Sequence, residues 1–205
     1  MTASQSIALQ GVPVVPGVRF APVIRANRLP AITELDTVGD IAEADRPAEV
    51  ARFGAAAATV AQGLRDRAAA ATGAAAEVPT ATVQLAQDRA WRGSAENAIK
   101  AGKPAVRATA DAAAQFIDMF TKMGGLMAER VTDLKDIRDR VIAELAGLPA
   151  PGVPEPVEPS ILFAEDLAPA DTAGLDPHRI VGLATSLGGP TSHTAIIARQ
   201  LGIPC

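Results

Sequence analysis

Residues 188–205 read GGPTSHTAIIARQLGIPC, and the way this stretch folds sets the frame for everything upstream of it. Two adjacent glycines, Gly188 and Gly189, admit positive φ angles and let backbone amides approach a ligand with no Cβ in the way. Thr191 or Ser192 can cap the helix that follows through its hydroxyl, which puts His193 in the first turn. His193, Ile196, Ile197, Gln200 and Leu201 fall at helical intervals, and Gly202 and Pro204 end the helix about two turns later. Immediately upstream, Ile180–Ala184 is short, apolar and partly β-branched, the pattern of a buried strand. Strand, glycine loop and helix together make an α/β unit.

Further out, Ile161–Ala164 is a second candidate strand, separated from the first by the turn-rich DLAPADTAGLDPHR at 166–179. Before it, LPAPGVPEPVEPS at 148–160 cannot continue a helix and reads as an extended linker. Residues 40–148 are helical in pattern throughout. Asp45 and Pro47 suit the start of a helix that runs to about Gly73, with Val50, Phe53, Ala57, Val60 and Leu64 as its stripe. Helices are also predicted at Ala81–Trp91, at Ser94–Ala101 with Ser94 as cap, at Arg107–Met123, and at about Glu129–Ala146 closed by Gly147. At the other end of the chain, Ser6–Arg25 has apolar runs broken by Gly11, Pro13, Pro16 and Pro22, which suits two short strands joined by tight turns.

Composition narrows the function classes. Of 205 residues 3% are aromatic and none is Tyr, so the core must come mainly from Ala, Leu, Val and Ile, and small side chains suit closely packed helices. One cysteine, Cys205, excludes an internal disulfide, and with two histidines it leaves too few soft ligands for a structural zinc site. The helical stretch 40–148 holds 14 basic and 15 acidic residues, a balance that argues neither for nucleic acid nor for a basic partner, and no nucleic-acid partner is expected. No apolar run is long enough to span a membrane, and the first residues lack a secretion signal, so a cytoplasmic protein with no membrane partner is expected.

His193 is where chemistry is expected. The amino end of a helix presents free N–H groups and a positive potential, which disfavours the imidazolium and favours a negatively charged group attached to the ring. A neutral imidazole beside an anion-binding helix end suits a phosphoryl acceptor, since covalent catalysis divides one transfer into two in-line steps. The second ring nitrogen then needs a partner to fix its tautomer. The same local pattern also fits a helix cap or a satisfied surface histidine. Ser192 as a nucleophile with a histidine base fits worse, because neighbours in a helical first turn point in different directions. His178, in a turn after Asp176-Pro177, reads as solvated, and Cys205 as inert.

GGPTSHTAIIARQLGIP resembles the signature of the phosphohistidine, or swivelling, domain shared by enzyme I of the bacterial sugar phosphotransferase system, pyruvate phosphate dikinase and phosphoenolpyruvate synthase. Within that superfamily the chain is most similar to the enzyme I family. GVPVVPGVRFAPV looks like its opening Gly-x-x-x-x-Pro-Gly strand pair, and ERVTDLKDIRDRVI, 129–142, is similar to its Glu-Arg-x-x-Asp-x-x-Asp-Ile-x-x-Arg helix.

The resemblance implies an α/β phosphohistidine domain over 1–39 and 149–205, C-terminally incomplete, with an inserted all-α helical-bundle subdomain over 40–148 that binds the carrier protein HPr. It implies that His193 takes a phosphoryl group from phosphoenolpyruvate on the ring nitrogen farther from the backbone and passes it to a histidine of HPr. Thr172 matches a threonine near the active-site ring, Gly188, Gly189, Thr191 and Ser192 match the loop, and Arg199 matches the helix arginine, for which pairing or packing is as good a role as phosphate contact. Asp88 matches a carrier-facing position. Two departures stand out: Ser186 replaces a common acidic residue, and AEVPTATVQLAQD at 76–88 lacks the family's Ala-His pair and its Lys. The chain is expected to be an N-terminal piece that exchanges phosphoryl groups with HPr alone and is monomeric. The barrel that holds phosphoenolpyruvate and Mg²⁺, and the homodimer contacts, are expected in the full-length enzyme. The competing readings are a dikinase or synthase swivelling domain and a non-catalytic helical interaction module.

Overall fold

The computed structural model describes residues 8–36, 39–70, 77–165, 167, 169–172 and 175–205. The chain divides into two compact units, one of described residues up to Ala26 together with those from Gly152 on, the other Asn27–Pro151.

The second unit is all helical. It contains α1 (Ile32–Leu35), a single 3-10 turn at Glu43–Asp45, α2 (Arg46–Ala70), α3 (Glu77–Ala86), α4 (Arg89–Lys100), α5 (Ala105–Met123) and α6 (Gly125–Leu145). Its core is built from α2, α4, α5 and α6, with Phe53, Trp91, Ile99, Leu134 and Ile137 fully buried among alanines such as Ala95, Ala105 and Ala112. Phe53 and Trp91 meet edge to face at 6.2 Å between ring centres, and the indole N–H donates to the Leu85 carbonyl at 2.8 Å. The Trp ring therefore packs the core while its polar edge is satisfied at the α3–α4 junction. Short α1 belongs to this unit because Arg107 on α5 donates to Asp36, just past the end of α1, at 2.6 Å.

Three helix boundaries differ from the sequence expectation: α3 starts at Glu77 rather than Ala81, and the other two shift for local reasons. The break expected at 92–94, with Ser94 as cap, falls instead at Asp88, whose carboxylate accepts from the amides of Ala90 and Trp91 and starts α4. Ser94 lies inside α4, where its hydroxyl donates to Gln115 of α5. Similarly α6 begins at Gly125 rather than near Glu129, because Gly124 and Gly125 both take positive φ, 68° and 53°, and fold the chain back from α5 within two residues.

One tie reaches across three helices. Glu49 on α2 accepts from the amide of Ala105, the first residue of α5, at 2.8 Å, and is gripped by Arg52 through two bonds of 2.7 and 2.6 Å. Arg52 also donates to the Leu145 carbonyl at the end of α6 at 2.8 Å. Helix α5 has no side-chain cap of its own at Pro104, so Glu49 supplies the acceptor from a neighbouring helix. The Arg52 guanidinium holds the Glu49 carboxyl below its ordinary range, against the opposing effect of burial.

The other unit is built on a three-stranded parallel sheet in the order β1 (Val23–Arg25), β2 (Ser160–Ala164), β3 (Ile180–Thr185), so the strand expected at 161–164 is the central one. Its remaining helices are α7 (Pro169–Thr172) and α8 (His193–Leu201). Leu162, Ala164, Ile180 and Leu183 face Ala198 and Ile203 in a small core. Of the two strands expected in Ser6–Arg25, only Val23–Arg25 forms among the described residues; 8–22, broken by Pro13, Pro16 and Pro22, form none, and Ser6 and Ile7 lie outside the described residues. The backbone of Val15 exchanges both hydrogen bonds with Cys205 at 3.1 Å, and Leu183 of β3 donates to the Pro204 carbonyl at 2.8 Å. Pro204 and Cys205 thus run between β3 and the N-terminal segment. Gly17 is required there by space, since a Cβ at this position would lie 2.6 Å from Pro204 Cγ.

Candidate active site

In a parallel sheet the carboxyl ends of the strands share one edge, and the loops that leave it are where such folds place their chemistry. Here two of those loops are stitched together. Beyond β3, the amide of Ser186 donates to the Ala164 carbonyl at 3.0 Å and that of Leu187 to the Glu165 carbonyl at 2.7 Å. The first loop leads on to α7 and Thr172, the second to the glycines and α8.

The second loop folds as its residues dictate. Gly188 has φ +89°, and the Ser192 amide donates to the Gly189 carbonyl at 2.9 Å, closing a tight turn. Of the two cap candidates it is Ser192 that caps, its Oγ accepting from the amide of Ala195 at 3.2 Å; Thr191 is exposed. Position 193 is the first residue of α8, at the positive end of the helix dipole. The imidazole itself lies outside the described part of the structure. Gly202 closes α8 in the left-handed conformation.

Thr172 ends α7 and is 2% exposed, and α7 packs against α8. Thr194, which the sequence did not single out, is equally buried in the first turn of α8; a threonine after the histidine carries no distinctive pattern. Arg199 is exposed in the last turn of α8, six residues and roughly 9 Å of helix rise beyond position 193, where its charge complements the carbonyl end. Asp88 is in the helical unit and caps α4. His178 is exposed, its amide held by the Asp176 side chain at 2.8 Å. Burial pushes the Cys205 thiol up, with the Arg199 charge acting the other way, the opposite of what an activated thiol requires.

Among the described residues there is no group of three or more His, Cys, Asp or Glu side chains placed to hold a metal ion. No helix among them is long and apolar enough to cross a membrane.

Residues 10–130 match the family model described as PEP-utilising enzyme, N-terminal, and residues 156–205 the one described as PEP-utilising enzyme, mobile domain. The chain belongs to the PEP-utilising enzymes. Relatives within this family include the phosphoenolpyruvate-protein phosphotransferase of Streptomyces coelicolor, 47% identical over 145 residues, which are 71% of this chain and 26% of that protein. The protein of the same name from Haloferax volcanii is 41% identical over 129 residues, 63% of this chain and 23% of that one. The chain therefore spans about a quarter of the length of the curated relatives it matches. Among solved structures, a solution NMR structure of Enzyme I superposes with a TM-score of 0.80 at 30% identity, covering 96% of this chain and 81% of that one. The N-terminal domain of Enzyme 1 - Nitrogen gives 0.62 at 27%, covering 94% and 80%. A helical unit joined to an α/β unit is thus the architecture of this PEP-utilising protein, as expected from the residues flanking the insertion.

Proposed function

We propose that His193 is a phosphoryl relay: in the whole protein it takes the phosphoryl group of phosphoenolpyruvate and hands it to a histidine of HPr, and the 205-residue chain by itself trades with HPr. In the first half-reaction the ring nitrogen farther from the backbone attacks phosphorus, the P–O bond to the enol oxygen breaks, and pyruvate leaves as its enolate and takes up a proton. In the second, the carrier's imidazole displaces His193 at phosphorus.

The observation that carries this reading is the Ser192-capped start of α8 at the carboxyl edge of the sheet, with position 193 first in the helix and Thr172 buried on the adjoining α7. The helix end supplies positive potential for the equatorial oxygens. The hydroxyl of Thr172 is proposed to hold the other ring nitrogen and so fix the tautomer, while Gly188, Gly189, Thr191 and Ser192 shape the loop. Segments 165–172 and 186–192 contain no Lys or Arg, so neither loop supplies a cation of its own to the transition state.

We assign carrier docking to the helical unit. Met119, Met123 and Leu126, around the α5–α6 turn, are 42%, 63% and 78% exposed, and apolar side chains grouped in this way mark interaction surfaces. Asp88 is kept as a carrier-facing residue in addition to its duty as a cap.

Incubation of the chain with phosphorylated HPr should label it with one acid-labile, base-stable phosphate, and His193→Ala should abolish the label. Label that persists in the variant would overturn the assignment.

A further inference from the structure

A cleft of about 330 Å³ opens inside the helical unit, where the end of α1, the first turns of α2, the start of α5 and the end of α6 converge. Most of its wall is apolar, from Leu35, Ile41, Pro104, Val106 and Leu145. The frame is held by bonds between these elements. The Ile41 amide donates to the Gly102 carbonyl at 2.7 Å, and Arg52 joins Glu49 to the Leu145 carbonyl as described above.

The polar lining consists of Asp36, Glu49 and Arg52, and its members are not equally satisfied. Glu49 and Arg52 neutralise each other, and Glu49 also holds the positive end of α5 through the Ala105 amide. Asp36 differs. Its Oδ2 accepts from Arg107 at 2.6 Å, but Arg107 also donates to Asp40 at 3.3 Å, so two acids draw on one base. Its Oδ1 is buried and accepts no hydrogen bond, a state that costs free energy until a donor reaches it. Leu145 and Ala146, the last residue and the cap of α6, bring the negative end of that helix to the same cleft.

We propose that this cleft is a binding site for a small primary ammonium with an apolar body, its N–H donating to Asp36 and its hydrocarbon lying against Leu35, Ile41, Val106 and Leu145. An anion would meet Asp36 and Glu49. A neutral alcohol could donate to Oδ1 but would leave the charge unbalanced, and a metal ion would lack the third acidic or soft ligand, which no cluster among the described residues provides. The volume, at the lower end for ligand pockets, sets the size of the body. The site lies wholly in the helical unit and is independent of the relay reading.

The test titrates cyclohexylammonium into the ¹⁵N-labelled 205-residue chain, with cyclohexanol and cyclohexanecarboxylate as neutral and anionic controls. The amides of Leu35, Ile41, Val106 and Ala146 should shift and saturate with a Kd of about 1 mM for the ammonium. Cyclohexanol should bind about 10-fold more weakly, and the carboxylate should not bind. Asp36→Asn keeps an acceptor for Arg107 but replaces the unmet oxygen with a donor, and should weaken ammonium binding by about 10-fold or more. Leu35→Phe, which fills the cleft without changing its charge, should abolish binding, and it decides the matter if Asp36→Asn fails to fold as judged by Trp91 emission. The proposal is overturned if the ammonium gives no saturable shifts at these amides or binds no better than cyclohexanol. Undiminished binding by folded Asp36→Asn or by Leu35→Phe would overturn it equally.

Discussion

The two units bury apolar surface to different degrees. Of the large hydrophobic side chains that are exposed among the described residues, three lie in the helical unit, grouped at the α5–α6 turn, whereas eight lie in the α/β unit, from Leu9 to Ile196. The helical unit closes its core by wrapping amphipathic helices around Phe53 and Trp91. The α/β unit has a three-stranded parallel sheet with a small core on the α8 side, and parallel sheets are stable when both faces are covered. Val23 on β1 is 64% exposed, and Phe20, three residues before it, wholly so. The lesson is a difference in closure: the helical unit buries its large apolar side chains except around one turn, and the α/β unit, which holds the proposed site, leaves more of them open.

The sole Trp, Trp91, sits in the helical core and the chain has no Tyr, so fluorescence unfolding reports on the helical unit alone. Leu134→Ala, at a fully buried position, should lower that unit's stability by about 2–5 kcal/mol, read as a lower denaturation midpoint of Trp91 emission. Leu162→Ala, at an equally buried site in β2, should leave the Trp91 transition in place and abolish amide protection in the sheet. A shift of the Trp91 midpoint by Leu162→Ala would break the division between the units.

Removing the three-helix tie should be the next largest effect. Glu49→Gln weakens the grip of Arg52 and the acceptor for the Ala105 amide, and a loss of about 1–2 kcal/mol in the Trp91 transition is expected. The pH dependence has a definite sign. The carboxyl of Glu49 titrates in the folded protein below the ordinary 4.5. Its contribution is therefore fully present above pH 4.5 and is lost as pH falls through the lowered folded value. Acid titration of wild type and variant should converge on the acid side; parallel curves would contradict the tie.

In the α/β unit, Ser192→Ala should cost about 1 kcal/mol by removing the cap of α8, seen as faster hydrogen exchange at the Ala195 amide with the Trp91 midpoint unchanged. Arg199→Gln, at an exposed helix end, should change stability by no more than roughly 0.3–1 kcal/mol and leave phosphoryl exchange intact. A large loss of exchange would give that arginine a direct role at phosphate.

Much of this division was legible in the residues themselves. A single pattern in 188–205 anticipated the capped start of α8 and the glycine that ends it, because caps and left-handed stops are written in local chemistry. The helical character of the stretch before the proline-rich linker was equally plain from its periodicity. The sequence misplaced the α3–α4 break, since Gly93-Ser94 looks like a boundary and only tertiary packing of Trp91 and Ser94 shows that it is not. Nor could it reveal that Glu49 caps a helix 56 residues away, or that the backbones of Leu187 and Glu165 are bonded beyond the strand ends, because such ties join residues with no local signature. The exposure of Ile196 was likewise invisible, as it sits in an apolar-looking run whose other members are buried or half-buried.

The relay stands most directly on one spectroscopic measurement. In ¹⁵N-histidine-labelled chain treated with phosphorylated HPr, NMR should show phosphorus attached to the outer ring nitrogen of His193, with the His178 resonances unmoved. Phosphorus on any other residue, or an unaltered His193 ring while HPr remains phosphorylated, would contradict the account.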